Sequence, residues 1–256
     1  MDNSGGLQRL KLLSYNIQAG IDTQRYRHYL TQSWKQVLPH RERLVNLDRI
    51  AAVIHGYDVV GLQEVDSGSL RSGFVDQTEY LANQAAFPYW YKQVNRSLGK
   101  LAQNSNGLLS RLRPSEISEY KLPGLPGRGV IVCNFGGASG ITVCIMHLAL
   151  GRRARLRQVA FIRELVSGLS HVVVMGDLNF GCESQEMRLL TQGAGLIQPA
   201  RHMNTFPSWR PIRKIDHILV SDTLQVENAR VVEYPLSDHL PIGIDVIIPS
   251  SMRLAA

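Results

Sequence analysis

The sequence predicts an α/β fold in one large domain, with strands paired partly parallel and partly antiparallel. Three observations lead there. Short aliphatic and β-branched runs bounded by Gly, Pro, Asn or Asp recur along the chain: RLKLLSYNI, DVVGLQEV, ITVCIMHL, HVVVMGDLN, KIDHILVS and LPIGIDVII. Such runs are the composition of strands covered on both faces. Stretches with helical spacing of apolar residues lie between several of them, and VIVCNFGGASGITVCIM folds back on itself at glycines.

Taken in order, the strand ending at Asn16 comes first, followed by a helix on which Leu44, Leu47, Ile50, Ala51 and Ile54 keep a single apolar stripe. The run from Asp58 to Val65 is the next strand. A hairpin turns at Gly136 and Gly137, since glycine supplies the positive φ that tight turns demand. A second helix carries Val159, Ile162, Leu165, Val166 and Leu169 toward the sheet. Strands then dominate, with runs ending at Asn179, Ser221 and Ile248. The non-periodic stretches 18–40, 95–105 and 199–213 read as long loops, the usual seat of function or mobility. The expected organisation is an N-terminal tail over 1–9, a single domain over 10–249 and a C-terminal tail over 250–256.

Composition narrows the function. The chain has 256 residues, 44% of them apolar, enough for one sizeable core. Its three cysteines, Cys133, Cys144 and Cys182, form no CxxC pair or metal-finger spacing, which suits a reducing compartment. The opening MDNSGGLQRLK has no apolar stretch of a secretory signal, and no run approaches the roughly 20 apolar residues of a membrane span. A soluble, cytoplasmic monomer is expected. A net charge of +7 favours anionic partners: nucleic acid, phosphorylated metabolites or an acidic membrane surface, the last as a peripheral contact.

Polar residues fall at the ends of the apolar runs. Asn16, Glu64, His147, and Asp177 with Asn179 each close a core strand, and SDH stands just before another. A carboxylate at a buried strand end costs free energy unless paired, hydrogen-bonded or bound to a cation. An oxygen-rich set without a Cys/His cluster argues for Mg²⁺ or Mn²⁺ over Zn²⁺, with Glu64 suited to hold the ion. Such an ion acts as a Lewis acid on a phosphoryl oxygen, while an Asp or His orients or deprotonates the attacking water.

SYNIQAG, LQEVD, NSNGLLSR, MHLALGRRARLRQ, MGDLN, KIDHILVS and SDHLP, in that order over about residues 10–248, resemble the endonuclease/exonuclease/phosphatase superfamily. The resemblance implies a four-layer α-β-β-α sandwich of two mixed β-sheets packed face to face. It implies a metal-dependent phosphoester hydrolase with Glu64 as principal metal ligand and Asn16 beside it. Asp177 then aligns or activates water, Asn179 hydrogen-bonds the developing phosphoryl charge, and His147 contacts phosphate. Neighbours in a strand point to opposite faces, so His239 needs its orienting carboxylate from elsewhere. The family's IDxI strand supplies it as Asp216, leaving Asp238 to face the metal. Candidate substrate contacts are Asn106, Arg128 and Arg155, and His217 is expected to serve packing.

MHLALGRRARLRQ lacks the tyrosine and asparagine of the abasic-site endonucleases and looks closer to the sphingomyelinase-like and small bacterial phosphoesterase branches. Three functions follow: a phosphodiesterase of nuclease type, a phosphatase or sphingomyelinase-like enzyme on a phosphorylated lipid, sugar or inositol, and an inactive binding module. The intact polar set argues against the last.

Overall fold

A computed structural model describes residues 8–21, 42–249 and 252–255. Two six-stranded sheets form a sandwich. The first has the order β11-β12-β1-β2-β4-β3, built from β1 (Arg9–Asn16), β2 (Val59–Val65), β3 (Tyr89–Leu98), β4 (Ala102–Ser110), β11 (Gln225–Val231) and β12 (Ile242–Ile247). The second has the order β5-β6-β7-β8-β10-β9, from β5 (Glu116–Lys121), β6 (Gly129–Phe135), β7 (Ile141–His147), β8 (Val172–Asp177), β9 (Leu196–Ile197) and β10 (Asp216–Ser221). Each sheet has one parallel pair at its centre, β1 with β2 and β7 with β8, and antiparallel neighbours outside.

The core is layered by strand alternation. Leu10, Leu12 and Val59 of the first sheet meet Ile145, Met175 and Ile218 of the second between the sheets. The opposite faces take helices. Leu47, Ile50, Ala51 and Ile54 of α1 (Glu42–Ile54), with Leu81 and Ala82 of α2 (Gln77–Gln84), cover Leu13, Tyr15, Val60 and Leu62. Val159, Ile162 and Val166 of α3 (Arg152–Val166), with Met187 and Leu190 of α4 (Gln185–Thr191), cover Cys144, Met146 and Val174. The result is the expected α-β-β-α order of layers.

The register brings the parallel strand ends to one end of the sandwich. Asn16 lies beside Gln63 and His147 beside Asp177, while antiparallel β10 starts with Asp216 opposite Asp177. Gly176 permits this, because at its φ of 152° a Cβ would collide with the Met146 carbonyl oxygen across the parallel pair.

Several expectations change. Residues 95–105 are not a loop but the end of β3, its turn and the start of β4, a polar edge hairpin without an apolar run to announce it. Leu44 is exposed at the outer side of α1, and Leu169 lies beyond the end of α3. α2 and α4 are too short to display a helical stripe; each starts at a capping side chain, Asp76 and Ser184. Residues 22–40 of the first expected loop lie outside the described residues. Met252 packs into the inter-sheet core and Ala255 accepts the Arg113 N–H, so this segment lies against the sandwich.

Candidate active site

Asp177 is the hub. Its Oδ1 accepts the Asn179 N–H at 3.1 Å, and its Oδ2 accepts from Asn16 Nδ2 at 3.1 Å, which ties the two sheets together at their strand ends. His147 Nε2 lies 3.4 Å and His239 Nε2 3.8 Å from the same Oδ2. Burial, with Asp216 and Glu64 nearby, outweighs His239 and the Asn16 hydrogen bond and pushes the Asp177 carboxyl up to about 7.

His239 is oriented from its other side. Its Nδ1 lies 3.0 and 2.9 Å from the Asp216 carboxylate oxygens, and Thr205 Oγ1 donates to the same carboxylate. Burial alone would lower this imidazole, but Asp216 and Asp177 overcome it and raise it to about 10. The ring of Phe206, 4.8 Å away, closes one side of it. Asp238 and His239 do not lie in a strand: residues 236–239 are a bend before β12, so alternation along a strand is not what separates them. The local tie is Ser237, whose hydroxyl donates to the Asn16 carbonyl at 2.6 Å and accepts the His239 N–H at 3.0 Å.

Glu64 lies on a disturbance of the sheet. The β2–β4 pairing shifts register between Leu62 and Val65, and Glu64 has a φ of +56°. A bulge of this kind re-aims a side chain at a strand end. Asn179 is likewise left-handed, at +58°, with its amide donating to the Leu148 carbonyl at 3.0 Å. Two of the six left-handed non-glycine residues among the described residues are thus candidate site residues. Burial and Asp238 hold the Glu64 carboxyl above its ordinary range despite His239 and Arg128.

A crevice of about 140 Å³ opens beside Glu64, lined by Asn95, Arg96, Asn104, Asn106, Arg128 and His147 among others. Arg128, between β5 and β6, is half-buried. Burial lowers its guanidinium against the opposing pull of Glu64 and Asp177. Burial, Arg128 and His239 together drive His147 well below its usual value, leaving a neutral ring at physiological pH. Asn106 faces the crevice with its amide donating to Gly129 O at 3.0 Å and Gln93 Oε1 at 3.3 Å.

Arg155 is not among the residues lining this crevice. Its Nε pairs with buried Glu186 at 3.1 Å and its guanidinium also reaches the Leu150 carbonyl, so it ties α3 to α4. It lines instead a broader cavity of about 740 Å³ that meets the site at Asn179 and also carries Arg152, Arg188, Arg213 and Lys214. His217 packs as expected: Phe180 stacks on it with centroids 5.5 Å apart, its Nε2 faces the Phe180 carbonyl and its Nδ1 the Gln198 amide.

Several site partners carry no strand-end signature in the sequence. Thr205 and Ser237 hold Asp216 and the SDH bend. Asp66, fully buried after β2, accepts from Gly68 N, Ser69 N, Ser69 Oγ, Arg71 Nε and Ser72 Oγ. Arg71 passes this order on to the crevice by donating to Asn104 Oδ1 at 3.0 Å. The signal was visible as DSGSLRS, an acid followed by serines and an arginine within one turn's reach.

The family model of the endonuclease/exonuclease/phosphatase family matches residues 13–239. This chain belongs to that family. Among solved structures, an endonuclease/exonuclease/phosphatase from Beutenbergia cavernae has a TM-score of 0.74 at 22% identity, covering 94% of this chain and 72% of the other. The mannosyl-6-phosphatase of Bacteroides thetaiotaomicron gives 0.69 at 16% identity, covering 93% and 100%. The human Nocturnin catalytic domain gives 0.67 at 16%, covering 93% of both chains. At these identities the likeness establishes the endonuclease/exonuclease/phosphatase fold. Comparison with curated proteins gives no match.

The donor set suits a hard divalent cation. Glu64 and Asp177 are crowded carboxyls driven upward by burial and like charge, a situation that a cation relieves. Asp177, Asp216 and His239 also bring one ligand atom each within 4.8 Å of one another, a grouping that could hold a metal ion.

Proposed function

We propose that this protein is a metal-dependent phosphoester hydrolase in which Asp177 and His239 assist the attack of water on phosphorus. The observation that carries this reading is the oriented imidazole: Asp216 holds His239 Nδ1 so that Nε2 is turned toward Asp177, at 3.8 Å. The Asp216 carboxylate accepts the Nδ1–H, which fixes the ring and stabilises the imidazolium, whose Nε2–H then faces the substrate.

Glu64, with Asn16 and Asp238, would hold Mg²⁺ or Mn²⁺. The Asp216–His239 hydrogen bond disfavours the alternative grouping, because an ion there would have to displace it. When bound, the cation supplies Lewis-acid polarisation of a phosphoryl oxygen. Asp177 accepts the proton of the attacking water, and the Asn179 amide donates to the charge that develops on the phosphoryl group. Protonated His239, neutral His147 and Arg128 grip the remaining phosphoryl oxygens, with Asn106 walling the crevice.

Basic charge and the complete polar set favour a phosphodiesterase of nuclease type. The likeness to a mannosyl-6-phosphatase supports the second reading, a phosphatase or sphingomyelinase-like enzyme on a phosphorylated sugar, inositol or lipid. A cytoplasmic monomer is part of this proposal; three cysteines without CxxC or metal-finger spacing suit a reducing compartment.

The test is hydrolysis of plasmid, single-stranded oligonucleotide, bis-p-nitrophenyl phosphate and p-nitrophenyl phosphate with Mg²⁺ or Mn²⁺. Chelator should abolish activity, and Asp177→Asn or His239→Ala should cut it by roughly a hundredfold or more. A folded protein that cleaves none of these with either ion overturns the proposal.

A further inference from the structure

The large apolar side chains that the protein leaves in water are unevenly distributed. Phe74, Leu98, Leu101, Leu125, Leu150 and Ile212 are exposed, from 49% at Leu98 to 85% at Leu125. Each sits on a connection at the end of the sandwich that carries Asn16, Glu64, His147 and Asp177. Leu98 and Leu101 form the β3–β4 tip, which the Phe74 loop touches through the Leu70 N–H to Lys100 O and Arg71 N–H to Leu101 O hydrogen bonds. Leu125 lies between β5 and β6, Leu150 directly follows β7, and Ile212 precedes β10. Toward the opposite end, the described residues leave only Leu169, Ile197 and Trp90 comparably exposed, at 42%, 45% and 37%.

Single exposed leucines are ordinary, but a concentration of them around one site marks an interaction surface. The chemistry of its partner follows from what lies between them. Arg96 and Lys100 flank Leu98 and Leu101, Arg152 and Arg153 follow Leu150, and Arg210 and Arg213 bracket Ile212, all of them exposed. Nucleic acid would use these cations, yet of these six side chains Phe74 alone has a ring on which a base can stack, and the other five are aliphatic. Aliphatic tips that enter a hydrocarbon boundary, ringed by cations that meet anionic headgroups, match a bilayer on both counts.

We infer that this end of the sandwich docks on an anionic phospholipid surface, setting the crevice against the membrane. The inference goes beyond hydrolysis and does not need it: a protein with no activity could still dock.

The experiment is sedimentation of the full chain with vesicles of phosphatidylcholine alone and of equal parts phosphatidylcholine and phosphatidylglycerol. Binding to the mixed vesicles should be about tenfold or more stronger than to the neutral ones and should weaken with salt. The double substitution Leu125→Asp and Leu150→Asp, at exposed positions outside the catalytic machinery, should lower it by about tenfold or more. It should leave the melting temperature and the hydrolysis of soluble bis-p-nitrophenyl phosphate unchanged. Leu169→Asp, at the opposite end, should bind like the wild type. The inference is overturned if the wild type stays in the supernatant, if neutral vesicles bind as well, if the double variant binds undiminished, or if Leu169→Asp loses as much. Failure of hydrolysis on every substrate would overturn the proposed function and leave the vesicle result standing by itself.

Discussion

Asp66→Asn removes one charge from a buried network and changes almost no volume. The carboxylate takes Arg71 Nε at 2.8 Å and Ser69 Oγ at 2.6 Å on Oδ2, and Gly68 N, Ser69 N and Ser72 Oγ on Oδ1. An asparagine can keep its oxygen on the Oδ1 side, which turns its NH₂ toward the Arg71 guanidinium. Breaking a buried ion pair by removing one partner costs about 3–5 kcal/mol. Arg71 retains the Gln103 carbonyl and Asn104 Oδ1 as acceptors, so the low end, about 3 kcal/mol, applies. In a domain of this size that lowers the melting temperature by about 6–12 °C. Burial raises the Asp66 carboxyl, but Ser69, Arg71 and Ser72 overcome it and hold it below its ordinary range. The contribution is therefore present above the unfolded-state pKa of about 4 and lost as pH falls through the lower folded value. Denaturant unfolding of both proteins should show a constant gap between pH 5 and 8 that closes below about pH 4. A shift under 2 °C at neutral pH (below about 1 kcal/mol), or a gap indifferent to acid, would refute the reasoning.

Asp216→Asn should lower kcat/KM about a hundredfold or more with little change in KM, because Asp216 acts by positioning His239. An imidazole resonance titrating well below the wild type's about 10 separates that role from a merely structural one. His217 is held below its usual 6.5 by burial, so the unfolded chain takes up that proton first and stability falls as pH drops below about 6.5. In His217→Gln the fall should be shallower by up to about 1.4 kcal/mol per pH unit, measured by denaturant unfolding; parallel curves would exclude this origin. Gly176→Ala should cost about 3 kcal/mol or more by forcing β7 from β8 at the Met146 carbonyl, with activity falling as His147 and Asp177 separate. A variant of wild-type stability would show that the pair has room to relax.

The strands that carry the site were legible because each is buried on both faces and must read as a continuous apolar run; a polar residue at the end of such a run is conspicuous. That is why Asn16, Glu64, His147 and Asp177 stand out, and why α1 and α3, long enough to show a stripe, were visible as well. The β3–β4 hairpin was not, since an edge strand such as YWYKQVNRSL buries little and needs no apolar pattern. Arg155 misled for a related reason. Its place in GRRARLRQ suggests a free cation beside a phosphate, but its partner Glu186 is 31 residues away in sequence, where spacing carries no information.

What sequence pattern does not contain is how a side chain at a strand end is aimed. In an unbroken β2 the pleat alone would set the direction of Glu64, and neighbouring Val65 is fully buried. The register shift before Val65 and the left-handed backbone at Glu64 break that alternation, and Asn179 uses the same backbone region beyond β8. Left-handed backbone at a non-glycine residue costs on the order of 1–3 kcal/mol and persists where its surroundings over-determine it. At Asn179 those surroundings are explicit: its N–H is fixed on Asp177 and its amide on the Leu148 carbonyl. At Glu64 the following loop is pinned by Asp66, with Gln77 accepting the Asp66 N–H at 2.8 Å and reaching back to the Ala19 carbonyl at 2.7 Å. The buried Asp66 network and the aim of Glu64 are thus one device, so Asp66→Asn should weaken the fold and the site together.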